Sequence, residues 1–117
     1  MLDVIKKICN LPRDFYSTDT KSIIQLLEES GYYKNPDCLN KEGIIKYLNS
    51  HPEILNDWEN YSSNKRTSEG WFFKSDNDES VIGYYKNGEH NVKKYDSKIL
   101  ACAEFIIKEI QTITKDR

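Results

Sequence analysis

Between Ile99 and Ile113 the apolar residues Ile99, Ala103, Ile106, Ile110 and Ile113 recur at steps of 4, 3, 4 and 3, and Leu100 and Ile107 widen the stripe. This spacing follows the 3.6-residue turn of an α-helix, so these side chains share one side of it. It is the strongest periodic signal in the chain. A stripe this apolar must be buried against another element. The preceding segment supplies one. Gly70-Trp71-Phe72-Phe73 and Val81-Ile82-Gly83-Tyr84-Tyr85 are short apolar and aromatic runs joined by the acidic loop Asp76-Asn77-Asp78-Glu79. Asn87-Gly88 is a favoured pair for a type I′ hairpin turn and implies a third strand at about 91–95. The expectation is a three-stranded antiparallel meander over 70–95, with a helix over about 97–114, capped by Asp96 or Ser97, lying across it.

Upstream the pattern is helical. Leu2, Ile5 and Cys9 share a face, with Val4 and Ile8 beside them, and predict a helix over residues 2–10 that Leu11-Pro12 ends. A polar link from Arg13 to Asp19 follows, and Asp19 or Thr20 is placed to cap a helix carrying Ile23, Ile24, Leu26 and Leu27, with Gly31 at its C′ position. Asn40 is placed to cap a third helix through Ile44, Ile45, Tyr47 and Leu48, which His51-Pro52 stops. Pro52 suits the first turn of a fourth helix bearing Ile54, Leu55, Trp58 and Tyr61. The fold class expected is α+β: about four N-terminal helices, the meander, and the long C-terminal helix packed on the sheet. The 117 residues fit a single domain, 1–117, with one core.

Composition narrows the function classes. Seventeen basic and 19 acidic residues leave a net charge of −2, with only three arginines, Arg13, Arg66 and Arg117. A free-standing nucleic-acid binder carries a basic excess, and Arg is its principal gripping residue; direct nucleic-acid binding is not expected. No apolar run approaches the roughly 18–20 residues that cross a bilayer. The N-terminus has Asp3 and no long apolar core, so a secretory signal is not expected and the expected location is the cytoplasm. The cysteines, Cys9, Cys38 and Cys102, are odd in number and widely spaced, which disfavours a disulfide framework.

The chemistry-bearing residues do not assemble by spacing. His51 and His90 lack a metal-ligating partner two to four residues away, so no metal is expected. Cys102 with His90 is formally a nucleophile–base pair, yet Cys102 stands between Ala101 and Ala103 inside a helical pattern, the setting of a buried inert thiol. The five glycines are scattered and form no phosphate loop, so no cofactor is expected. The polar stretch from Ser62 to Trp71, with Lys65 and Arg66, reads either as a phosphate-binding loop or as a helix-to-strand connection whose hydroxyls bond local backbone; the second fits better. Alternation places aromatic or aliphatic residues on both faces of the sheet. The last helix covers one face, and the other is either covered by the N-terminal helices or left for a partner.

Three stretches together, Tyr61-Ser62 through Lys65-Arg66-Thr67-Ser68-Glu69-Gly70-Trp71-Phe72-Phe73, then Val81-Ile82-Gly83-Tyr84-Tyr85, then Ala101-Cys102-Ala103-Glu104-Phe105-Ile106, resemble small bacterial immunity proteins of polymorphic-toxin and contact-dependent growth inhibition systems. The resemblance implies a cytoplasmic, single-domain, non-enzymatic protein. Its partner would be a cognate toxin domain, a basic nuclease by expectation, neutralised by blocking its active site or substrate groove. An adaptor module of bacterial or phage origin that binds another protein is the alternative reading. No contact residue carries over by motif. On physical grounds the partner-binding expectation falls on the hairpin loop and its flanks: Asp76, Asp78 and Glu79 as an acidic rim, with Phe72 and Tyr84 sharing a strand face as its desolvated centre.

Overall fold

A computed structural model describes residues 2–18, 20–65, 70–76 and 79–114, with Leu2, Cys38, Lys65, Asp76, His90 and Asn91 placed by their backbone alone. The chain runs α1 (Leu2–Cys9), α2 (Leu11–Tyr16), α3 (Ile23–Glu29), α4 (Lys41–Ser50), α5 (Glu53–Lys65), β1 (Gly70–Asp76), β2 (Glu79–Tyr85), β3 (Glu89–Tyr95) and α6 (Lys98–Thr114). This is the expected α+β architecture: helices first, then a three-stranded antiparallel sheet in the order β1-β2-β3, then the long helix.

One more helix precedes the sheet than the sequence predicts. Pro12 does end α1, but it also opens α2, occupying that helix's first turn, where a missing N–H costs nothing. The segment from Arg13 is therefore helical to Tyr16 rather than a polar link. The cap of α3 also differs: Ser22, not Thr20, accepts a hydrogen bond from the Gln25 N–H at 3.1 Å. Asp19 lies outside the described residues. Gly31 stands just past α3 in the left-handed region, at φ 92°, as a C′ glycine should. Asn40 caps α4 through Gly43 N–H at 2.7 Å. The predicted break at Ser62 is absent, and α5 continues to Lys65.

The sheet register is Trp71↔Tyr84, Phe72↔Gly83 and Phe73↔Ile82 between β1 and β2, and Ser80↔Tyr95, Val81↔Lys94 and Ile82↔Lys93 between β2 and β3. Asn87 and Gly88 both have positive φ, 54° and 124°, as the Asn-Gly pair predicts. The last pair is Tyr85↔Glu89, so the loop holds three residues rather than two, and a register shift between Ile82 and Tyr84 absorbs the extra one.

Three layers result. The sheet packs on α6 and α5, and α6 packs on its other side against α4, which in turn holds α1. Because α6 is the middle layer, Ala101, Cys102, Ala103, Phe105, Ile106 and Ile110 are all fully buried. Ile99, part of the apolar stripe, and Trp71 are only half-buried at the core's margin. Trp58, at 1 % exposure, ties the layers together: its ring meets Phe105 edge-on and its indole N–H donates to the Cys9 carbonyl at 2.8 Å. Gly43 of α4 faces α1, where a Cβ would stand 2.9 Å from the tip of the Ile5 side chain.

Candidate functional site

The two faces of the sheet differ in cover. Trp71, Phe73, Ile82 and Tyr84 lie on the helix-facing side, where Phe73 stacks on Phe105 with ring centroids 5.9 Å apart. Trp71 meets Tyr84 edge-on at 5.4 Å, and Lys108 Nζ of α6 sits 5.3 Å from the Trp71 ring centre. The opposite face carries Phe72, Lys74, Val81, Gly83, Tyr85, Val92 and Lys94. Among the described residues the helices that pack most closely on the sheet are α5 and α6, and on this opposite face Phe72 and Gly83 are buried. Val92 is 45 % exposed, and Val81 and Tyr85 are half-buried.

Across the open face run two ion pairs. Lys74 Nζ reaches Glu89 Oε2 at 2.8 Å and lies 5.4 Å from the Phe72 ring centre, and Lys94 Nζ stands 3.5 Å from Glu79 Oε1. The result is an apolar strip of Val81, Gly83, Tyr85 and Val92 bordered by paired charges, the arrangement of a polar rim around an apolar patch.

The register corrects the expected binding cluster. Phe72 pairs with Gly83 and Tyr84 with Trp71, so Phe72 and Tyr84 point to opposite faces of the sheet and cannot form one centre. The tight hairpin sets this parity: Asp76↔Glu79 are direct partners, so paired positions sum to a value that puts an even-numbered residue opposite an odd-numbered one. Phe72 is also only 2 % exposed. Glu79 is exposed and stands 3.5 Å from Lys94 Nζ, a solvent-screened pair. Asp76 closes β1, with its side chain outside the described residues, and Asp78 lies wholly outside them. Sequence reasoning missed the strip of Val81, Tyr85 and Val92; the parity of the acidic hairpin, had a two-residue turn been assumed at 77–78, was the signal that would have found it.

Burial pushes the Cys9 thiol up to about 12 and raises that of Cys102 as well, so neither is a thiolate at neutral pH. His51 caps the end of α4, stacks on Tyr47 with centroids 4.2 Å apart, and has Nδ1 3.1 Å from the Tyr47 carbonyl oxygen. It shares a shallow groove of about 360 Å³ with Lys6, Asn10, Arg13 and Glu53. Arg13 there is spent on Asp57, its Nε 3.0 Å from Oδ2, a charge contact without an aligned hydrogen bond. Among the described residues no group of three His, Cys, Asp or Glu is placed to hold a metal, and no helix is long and apolar enough to cross a membrane. Tyr61 donates its hydroxyl to the buried Glu109 at 2.5 Å, and burial followed by the Glu109 charge raises its pKa. That pair braces α5 against α6 within the core.

Ser62 shows what the Ser62–Trp71 stretch does at its start. Its hydroxyl is fully buried and accepts the Phe73 N–H at 2.6 Å, so it bonds strand backbone rather than a ligand. Residues 66–69 lie outside the described residues.

The described residues form an α+β domain whose three-stranded antiparallel sheet is backed by the long C-terminal helix. No protein-family model matches the chain, and neither a curated protein nor a solved structure shows significant similarity to it.

Proposed function

We propose that this protein is a non-enzymatic immunity protein that binds a cognate toxin domain and neutralises it by covering its active site or substrate groove. The observation that carries the reading is the open sheet face: an apolar strip of Val81, Tyr85 and Val92, flanked by the Lys74–Glu89 and Lys94–Glu79 pairs and backed by a rigid helix. Aromatic and aliphatic side chains held on a sheet supply contact area at little entropic cost, and a polar rim fixes orientation. The buried, protonated thiols and a His51 held against the end of α4 by Tyr47 fit a protein that acts by occlusion. The resemblance of the 61–73, 81–85 and 101–106 stretches to immunity proteins points the same way, with a basic nuclease as the expected toxin and the cytoplasm as the place of action.

The test is co-expression with the toxin domain encoded by the neighbouring upstream gene. The two chains should co-purify, and cells carrying both should survive. A Tyr85→Ser, Val81→Thr variant should weaken the complex at least about tenfold while keeping its fold. The variant Asp76→Asn, Asp78→Lys, Glu79→Lys should slow association, more at low salt than at high. Survival with a folded chain that never binds the toxin would defeat the occlusion reading.

A further inference from the structure

The two edges of the sheet are treated differently. On β1, Phe73 turns its N–H away from β2, and Ser62 of α5 receives it. An exposed strand edge offers a template for another strand, and here a helix side chain closes it. The same bond fixes the direction of the backbone on β3. A strand's N–H and C=O groups alternate in direction residue by residue. Phe73 points away from β2, so its partner Ile82 points toward β3, and Lys93, the partner of Ile82, points inward to β2. Lys94 next to it therefore directs its N–H and C=O outward. Among the described residues, no backbone group outside the sheet bonds to Lys94 on that outward edge.

We infer that the outer edge of β3 is a strand-addition site for an extended acidic segment of a partner protein, one that carries two consecutive carboxylate residues. Charge selects the occupant. Lys93 and Lys94 are both exposed, and as consecutive strand residues they project to opposite faces. A strand laid beside them sets one residue against each, on each face. Opposite charges facing across strands stabilise the pairing and like charges oppose it. Two adjacent carboxylates answer both lysines at once. The existing partner of Lys94, Glu79, does not compete strongly, because the pair spans 3.5 Å with side chains 70 % and 53 % exposed. A second copy of β3 would bring its own Lys93 and Lys94 to the seam and gather four ammonium groups there. The same lysines thus oppose a basic strand while favouring an acidic one, which is specificity in part by repulsion of the wrong partner. The inference stands on the edge geometry and does not rest on the toxin reading.

The test uses the full-length, nitrogen-15-labelled protein and two capped octapeptides of alternating Thr and Val, one with a central Asp-Glu pair and one with Lys-Lys in its place. Titration with the acidic peptide should shift the amides of Val92 and Lys94 and slow the exchange of the Lys94 N–H. The acidic peptide should bind at least about fivefold more tightly than the basic one, and the difference should shrink with added salt. The exposed-site variant Lys93→Glu, Lys94→Glu should invert the preference. Lys94→Pro, which removes the outward N–H, should abolish binding of the acidic peptide. Equal affinity for the two peptides, shifts centred away from β3, or concentration-dependent self-association through β3 without response to the acidic peptide would each overturn the assignment. The comparison of the two peptides on the unmodified protein decides the question even where a variant fails to fold.

Discussion

Replacing Ser62 by Ala isolates the bond that closes the β1 edge. Ser62 is fully buried in α5, and its hydroxyl accepts the Phe73 N–H at 2.6 Å. The substitution removes the acceptor and leaves the donor buried, because Phe73 itself is 1 % exposed. An orphaned buried donor costs roughly 1–3 kcal/mol. Ala is the better helix former, which returns up to about 0.5 kcal/mol within α5. The net loss should be about 1–2.5 kcal/mol. Urea unfolding should show a lower midpoint with an unchanged slope, since the surface exposed on unfolding does not change. Amide exchange supplies the specific readout. The Phe73 N–H should lose protection, while Phe72 and Lys74, whose amides face β2, should keep theirs. A loss below about 0.5 kcal/mol, or uniform deprotection along β1, would refute the claim that this hydroxyl is what satisfies the strand edge.

Ile106→Ala should cost about 2–5 kcal/mol in the same assay, because Ile106 is fully buried in the middle layer, and a loss below about 1 kcal/mol would mean that α6 presents another face to the core. Trp58→Phe should cost about 1–3 kcal/mol, since it leaves the Cys9 carbonyl without its 2.8 Å donor, and calorimetry against the parent protein measures it. Stability should fall as pH rises above 9, the ordinary thiol value. The fold keeps Cys9 protonated to about 12 and raises Cys102 and Tyr61 likewise, whereas the unfolded chain ionises earlier and so is favoured in alkali. Urea midpoints at about pH 8 and about pH 10.5 measure the fall, which the Cys9→Ala, Cys102→Ala variant should make shallower; a flat profile in the parent protein would contradict the burial of these groups.

Local signals carried most of the architecture. The stripe from Ile99 to Ile113 marked α6, and Asn40 and Gly31 marked helix boundaries, because caps and periodicity are written within a few residues of where they act. Asn87-Gly88 marked the second hairpin, since a left-handed turn restricts its residues severely. Pro12 was ambiguous for a physical reason: a proline ends one helix and starts the next equally well, and only Leu11, buried against the core at 1 % exposure, shows that the chain turned back into α2. Ser62 was equally illegible, since a hydroxyl at the start of a polar stretch bonds whatever packing brings to it, and that partner lies 11 residues away on β1.

The candidate binding surface divides along the same line. Its residue types were visible as aromatics and lysines on both faces of three short strands. Which face opens outward was settled by long-range packing, because α6 must bury Phe73, Ile82 and its own apolar stripe together, and that leaves Val81, Tyr85 and Val92 on the far side. The grouping of Phe72 with Tyr84 failed by a single step of register. In a structure whose side chains alternate with a period of two, that step sends a residue to the opposite face. The sequence alone thus determined the sheet, the long last helix and the order of the elements, but not α2. Tertiary packing decided the face and the edge that the sheet presents, since both depend on contacts between residues far apart in the chain.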